Sequence, residues 1–347
     1  MEKRILDVLQ GVIHPAYQEN IVKLGLVENL KADGKIISFQ LVFSRKDPLA
    51  SSIKKACREA LEEAFPQHEV KILELVREKK ANTGSPADLG LEQLDGIGKI
   101  VVIASGKGGV GKSTVAVNLA VSLARRGYKV GLADADVYGP SVPKMTGTEG
   151  EMPEAVEEET PEGTVQLILP FEKYGVKWMS VGYFVSPEQA LIWRGPMACN
   201  ALKQIILQVK WGQLDYLLID LPPGTGDIHI TLVNDIPVDG AIIVSTPQAV
   251  ALADVEKGIN LFRNPKVDKH IYGIIENMAW FTPAELPDNR YYIFGREGCK
   301  AVAAKYGIDV IAEIPLVQSI CDNGDEGTPS ALDPDSVISK ALDKIVL

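Results

Sequence analysis

IVVIASGKGGVGKSTVAVNLAVSLARRG, residues 100–127, is the stretch whose reading decides the fold. Its apolar opening, Ile100–Ala104, predicts a buried strand. Four glycines then fall within six residues: Gly106, Gly108, Gly109 and Gly111. The run Ser113–Arg125 is amphipathic, with Val117, Leu119, Ala120, Leu123 and Ala124 available to face a sheet. Strand, glycine loop and helix in this order build a phosphate site. Loop N–H groups and the helix N-terminus converge on the anion, and glycine lets the backbone approach without a Cβ in the way. Gly106 to Ser113, with Val110 among the glycines, satisfies GxxxxGK[ST] in full. Lys112 offers a point charge to the β/γ-phosphates, and Ser113 a hydroxyl to a phosphate-bound Mg²⁺. Gly106, Gly108 and Gly111 also spell GxGxxG, with Asp134 downstream as a ribose-binding acid would be. That NAD-type dehydrogenase reading explains neither Lys112-Ser113 nor the second acidic strand end at Asp220.

The whole chain sets the limits. Its 347 residues suggest two domains or one large one, and 46% hydrophobic with 24% charged residues allow a sizeable core. A net charge of −10 argues against binding nucleic acid or an anionic membrane surface. No apolar run approaches a membrane span. MEKRILDVLQGV at the N-terminus reads as the start of an amphipathic helix and lacks the apolar stretch and cleavage site of a signal peptide. The cytoplasm is therefore the expected compartment. The four cysteines, Cys57, Cys199, Cys299 and Cys321, form no CxxC and no disulfide framework. The four histidines, His14, His68, His229 and His270, show no metal-ligand spacing.

Taken in order, residues 1–80 predict a small α/β domain. Glu2–Gly11 reads as a helix. Val22–Leu30 and Lys35–Phe43 read as a hairpin turning at Lys31-Ala32-Asp33-Gly34, Pro48 to Ala64 as an amphipathic helix, and Glu69–Val76 as a strand. The polar stretch 81–97 reads as a linker. From 98 to 347, strands and helices alternate, which predicts a mostly parallel sheet flanked by helices. Strand Lys129–Ala133 leads into Asp134-Ala135-Asp136. Residues 148–164, with seven glutamates and no Lys or Arg, read as a solvated loop. Strand 215–220 emerges on Asp220, a carboxylate placed where a nucleotide Mg²⁺ needs one. Gly224 and Gly226 follow in a loop able to rearrange with the γ-phosphate, and Asp227 is a candidate helix cap. Strand Ile271–Glu276 ends in Asn277-Met278, and 279–297 reads as a polar and aromatic excursion. Asp335–Ile345 reads as a closing helix.

These residues resemble a known family. KGGVGKST (107–114) is similar to the deviant Walker A motif of the MinD–ParA class of P-loop proteins, with Lys107 as a second lysine ahead of the glycines. DADVYGPS (134–141), WRGPM (193–197), DYLLIDLPPGTGD (215–227), STPQ (245–248), ENM (276–278) and IPL (314–316) resemble the Mrp-type iron–sulfur cluster carriers, in the same order. The first 80 residues resemble the small iron–sulfur assembly domain fused to many of them.

The resemblance implies a homodimeric ATPase that delivers clusters to apo-protein clients or works with assembly factors. It implies that Lys107 reaches the partner subunit's ATP, that Lys112 and Ser113 hold phosphate and Mg²⁺, and that Thr114 contacts the α-phosphate. It further implies that Asp136 positions the attacking water, that Asp134 and Asp220 support the Mg²⁺, and that Asn277 faces adenine. ATP, Mg²⁺ and an iron–sulfur cluster are the implied ligands. The chain departs from the family in two places. Many members carry a CxxC after the ENM segment, where this chain has Thr282, Pro283, Ala284 and Glu285. A second departure is Asp47 before Pro48, where members often carry a cysteine. Iron–sulfur clusters call for thiolates, so the cluster ligands are not legible. The alternative expectation is an ATP-gated dimeric adaptor that binds no cluster itself.

Overall fold

The computed structural model describes residues 1–14, 19–34, 36–43, 50–76, 91–160, 163–185, 195–283 and 285–347. Two compact units emerge, residues 1–84 and 85–347. The linker expected at 81–97 lies outside the described residues up to 90, as does Asp47-Pro48; Leu91–Leu94 form one tight turn, and Leu94 is buried.

The small unit runs α1 (Glu2–Leu9), β1 (Ile13–His14), β2 (Glu19–Asn20), β3 (Val27–Asp33), β4 (Ile36–Phe43), α2 (Ala50–Ala64) and β5 (Glu69–Val76). Strand order is β3-β4-β5, antiparallel then parallel. A parallel pair needs a crossover, and α2 supplies it. Ile5 and Leu9 of α1 and Ile53, Cys57 and Leu61 of α2 bury against Ile37, Phe39, Leu41, Val70 and Ile72. The hairpin is later than its apolar residues suggest. Ile21–Gly25 form turns, while Lys31–Asp33, expected in the turn, pair with Ile36–Ser38.

The larger unit continues β6 (Ile97–Ala104), α3 (Lys112–Arg125), β7 (Val130–Asp134), α4 (Val142–Thr146), β8 (Ala155–Thr160), β9 (Gly163–Ile168), β10 (Phe171–Lys173), β11 (Val176–Ser180), α5 (Gly195–Leu207), β12 (Leu214–Asp220), α6 (Asp227–Asp235), β13 (Gly240–Ser245), α7 (Ala249–Phe262), β14 (His270–Phe281), α8 (Gly298–Tyr306), β15 (Val310–Leu316), α9 (Gln318–Asp325) and α10 (Val337–Leu342). Eight strands form one sheet in the order β10-β11-β7-β12-β6-β13-β14-β15. Only the edge strand β10 runs antiparallel.

Both faces of the sheet are covered, which explains why its strands are continuous apolar runs rather than alternating ones. On one face Val101, Ile103, Leu132, Leu218 and Ile242 pack with Val115, Leu119 and Leu123 of α3 and Ile338 and Leu342 of α10. On the other, Ile100, Val102, Leu217, Ile219 and Ile243 meet Leu202 and Ile206 of α5, Leu232 of α6, Ile259 of α7 and Val302 of α8. The chain's end is tied down by Arg125, which donates to both carboxylate oxygens of Asp343 at 2.6 and 2.5 Å.

Four expectations need correction. The Glu-rich stretch 148–164 is no simple loop, because Ala155–Thr160 pairs antiparallel with Gly163–Ile168 and Lys210 binds Glu158 at 2.7 Å. Strand β14 does not stop at Glu276 but continues through Met278, at φ 53°, to a pairing of Phe281 with Leu316. Asp227 is the first residue of α6 rather than its cap; the capping position is Gly226, without a side-chain bond. The closing helix is shorter than Asp335–Ile345: the Ser336 hydroxyl caps its start by accepting the Ser339 N–H, and it ends at Leu342.

Candidate functional site

Register brings the site together. Ser180, Asp134, Asp220 and Ile103 are successive partners across β11, β7, β12 and β6. Three polar side chains thus end their strands side by side, where the glycine loop leaves β6. In open parallel sheets this carboxyl edge is where ligands bind.

The loop itself is set by a few contacts. Gly109 and Gly111 both take φ +79°, a conformation that L side chains rarely adopt. A Cβ on Gly106 would collide with the backbone of Asp254 in α7, and one on Gly111 with the amide of Asn277. The N–H groups of Gly108 through Ser113 meet no protein acceptor among the described residues. Unaccepted N–H groups at the mouth of a fourteen-residue helix form an anion cradle.

Lys112 lies beneath that cradle, only 5% exposed. Its Nζ donates to Asp220 Oδ1 at 2.7 Å, stands 3.7 Å from Asp136 Oδ2, and reaches Ser113 Oγ at 3.3 Å. Asp134 sits behind this group, fully buried. One of its oxygens accepts the Asp136 N–H, and the other accepts Ser180 Oγ at 2.8 Å and the Val142 N–H. Its role visible here is to anchor the turn that carries Asp136 towards Lys112. Burial, then the charge of Asp220, pushes the Asp134 carboxyl up to about 7 against the pull of Lys112. Burial likewise raises Asp220, more than Lys112 and Ser113 lower it.

Three carboxyl groups thus share one ammonium. Asp220 Oδ2 is buried without a hydrogen-bond partner. That orphaned oxygen, next to the Ser113 hydroxyl, fits a divalent cation or its water shell. Among the described residues no group of three or more His, Cys, Asp or Glu is poised to hold a metal alone, so such an ion would draw its remaining ligands from phosphate and water, as Mg²⁺ does.

The remaining sequence candidates fall into two sets. Ser113 and Thr114, in the first turn of α3, are half-buried at the cradle, and Lys107 is half-buried with no ion pair among the described residues. Asn277 turns its amide inward, Nδ2 donating to the Val110 carbonyl at 2.9 Å, so in this state it braces the loop from behind. Cys299, the cysteine that follows the excursion, is fully buried. Its N–H donates to Glu276 Oε2 at 2.7 Å, and burial with that carboxylate pushes the thiol far up. Cys57 and Cys199 are buried too, and only Cys321 is exposed. Sequence reasoning missed Ser180 and His229. Ser180 carried the signal of a polar residue at a strand end; a lone histidine carries none.

Residues 96–347 match the family model described as NUBPL iron-transfer P-loop NTPase, and residues 2–73 that of an iron-sulfur cluster assembly protein. A relative from Synechocystis sp., named iron-sulfur cluster carrier protein, is 38% identical over 346 residues, spanning 98% of this chain and 94% of its own. One of the same name from Aquifex aeolicus is 46% identical over 254 residues, 72% of this chain and 67% of its own. Among solved structures, the nucleotide-binding protein from Archaeoglobus fulgidus in complex with ADP matches with a TM-score of 0.60 at 38% identity, covering 72% of this chain and 94% of that one. No helix among the described residues is long and apolar enough to cross a membrane. A buried lysine under a glycine cradle, carboxylates at neighbouring strand ends and these matches agree: the chain belongs to the NUBPL iron-transfer family of P-loop NTPases.

Proposed function

We propose that this protein is an ATP-hydrolysing iron–sulfur cluster carrier that works as a cytoplasmic homodimer and passes clusters to apo-proteins. The observation that carries the reading is Lys112, held 2.7 Å from Asp220 and 3.7 Å from Asp136 beneath a loop of unaccepted N–H groups. Phosphates entering the cradle compete with both carboxylates for that ammonium. With Lys112 turned to the phosphates, Asp220 and the Ser113 hydroxyl would be free to hold Mg²⁺, and Asp136 would be free to orient water for in-line attack. Phosphoryl transfer needs this positioning and charge neutralisation more than covalent chemistry. Thr114 takes the α-phosphate, Asn277 borders the base, and Lys107 reaches the phosphates held by the second subunit. Residues 1–80 serve as a docking domain for client or cluster. Mg²⁺ supplies charge compensation and orientation when bound.

The cluster is cargo, and no CxxC receives it. Anaerobic reconstitution with iron and sulfide, followed by transfer to an apo-protein with and without ATP, tests the reading. Stoichiometric iron and ATP-dependent transfer support it. Iron-free protein that still binds and hydrolyses ATP would instead favour the adaptor reading, which the burial of three of the four thiols motivates.

A further inference from the structure

Beside the phosphate loop runs Leu221–Gly226, the segment between Asp220 and α6. Its two prolines carry no N–H, so it has few ways to tie itself down. Leu221 N–H donates to Ile103 O at 3.1 Å and Gly224 N–H to Ser105 O at 2.9 Å. A Cβ on Gly108 would lie 3.9 Å from the Pro223 ring. The segment is therefore fixed at one end to the last residues of β6 and at the other to the first residue of the phosphate loop, and the Pro222 carbonyl between them needs a donor from elsewhere.

His229 provides it. It is the third residue of α6, 4% exposed, with Nε2 2.7 Å from Pro222 O. A carbonyl only accepts, so Nε2 carries the proton and Nδ1 is bare; Nδ1 is also buried and without a partner. Burial lowers the affinity of the ring for a second proton, with Lys112 adding to the effect. An apolar side chain would fill this space without stranding a buried nitrogen. The bond to Pro222 is what an imidazole supplies and an apolar group does not.

We propose that His229 is a positioning residue for hydrolysis: its Nε2–H holds the Pro222 carbonyl and thereby keeps Leu221–Gly226 aligned against the phosphate loop. Resting on the ATP-hydrolysing reading above, the proposal concerns a residue whose side-chain hydrogen bond goes to the backbone carbonyl of Pro222. The test compares His229→Phe, which keeps bulk and loses the donor, with His229→Gln, whose Nε2 amide reaches the same carbonyl. Misplacing a reacting group by about 1 Å costs up to about a hundredfold in rate, so turnover in His229→Phe falls by about tenfold or more while ATP affinity stays within about threefold. Glutamine restores turnover to within about threefold of wild type. Wild-type turnover in the phenylalanine variant overturns the proposal, as does equal loss in both variants, which would mean that ring shape and not the donor matters. Wild-type protein without any turnover counts against the ATPase reading alone. In that case ¹⁵N-histidine spectra of the wild-type chain, which has four histidines, decide the point: a protonated Nε2 and bare Nδ1 at His229 support the clamp, and a proton on Nδ1 overturns it.

Discussion

The glycine loop after β6 and the excursion after β14 leave the same edge of one sheet, two strands apart. The first works through backbone N–H groups and one buried charge. Its requirements are glycines where side chains would collide and a lysine at a fixed offset, and every one of them is present. The excursion is built for contact rather than coordination. Phe281 and Tyr291 exchange both backbone hydrogen bonds at its base, at 2.8 Å each way. Arg290 lies over the Trp280 ring at 4.2 Å, Arg296 over Tyr292 at 4.9 Å, and Leu286, Tyr291 and Ile293 are exposed. It holds no thiol. The two regions are thus unequally equipped: the glycine loop has every residue its motif calls for, and the excursion offers no thiolate.

Breaking the first region should have the largest effect. Lys112→Ala leaves Asp220 and Asp136 buried without their cation and removes the charge that meets the phosphates. ATP affinity is expected to fall by about a hundredfold, or about 2.7 kcal/mol, by titration calorimetry. Unchanged affinity would contradict the site. The second region is open to a gain of function. Placing Thr282→Cys and Glu285→Cys together restores two thiolates at CxxC spacing, so anaerobic reconstitution should yield more bound iron per chain and a stronger thiolate-to-iron absorption band than in wild type. Equal iron content would mean that the excursion is not a ligand position here.

Smaller effects sharpen the contrast. Gly106→Ala drives a methyl group into the Asp254 backbone and is expected to cost about 2 kcal/mol in denaturant unfolding, because backbone cannot step aside as a flexible side chain can. Cys299→Ala should cost about 1 kcal/mol for the lost packing and leave iron uptake as it is. A loss of iron would show that the buried thiol reaches the cluster after all.

The legible parts of the chain were those where residue type and spacing coincide with a physical need. Gly106 to Ser113 could be read directly, since few other sequences allow backbone to wrap an anion. Asp220 could be read because a carboxylate ending a buried strand is costly unless used. The hairpin at Ala155–Ile168 was hidden by its glutamates, whose charge masked pairing through Val156 and Leu167. The length of β14 was hidden by Met278, whose positive φ interrupts the register before pairing resumes at Phe281. His229 had no signal at all, because its role is one hydrogen bond to a carbonyl seven residues away.

The most direct test of the account is transfer of labelled iron from anaerobically reconstituted protein to an apo-acceptor, comparing wild type with Lys112→Ala in the presence of ATP. The account predicts stoichiometric iron on both proteins and rapid transfer by wild type alone. Equal transfer by both, or no iron on either, would contradict it.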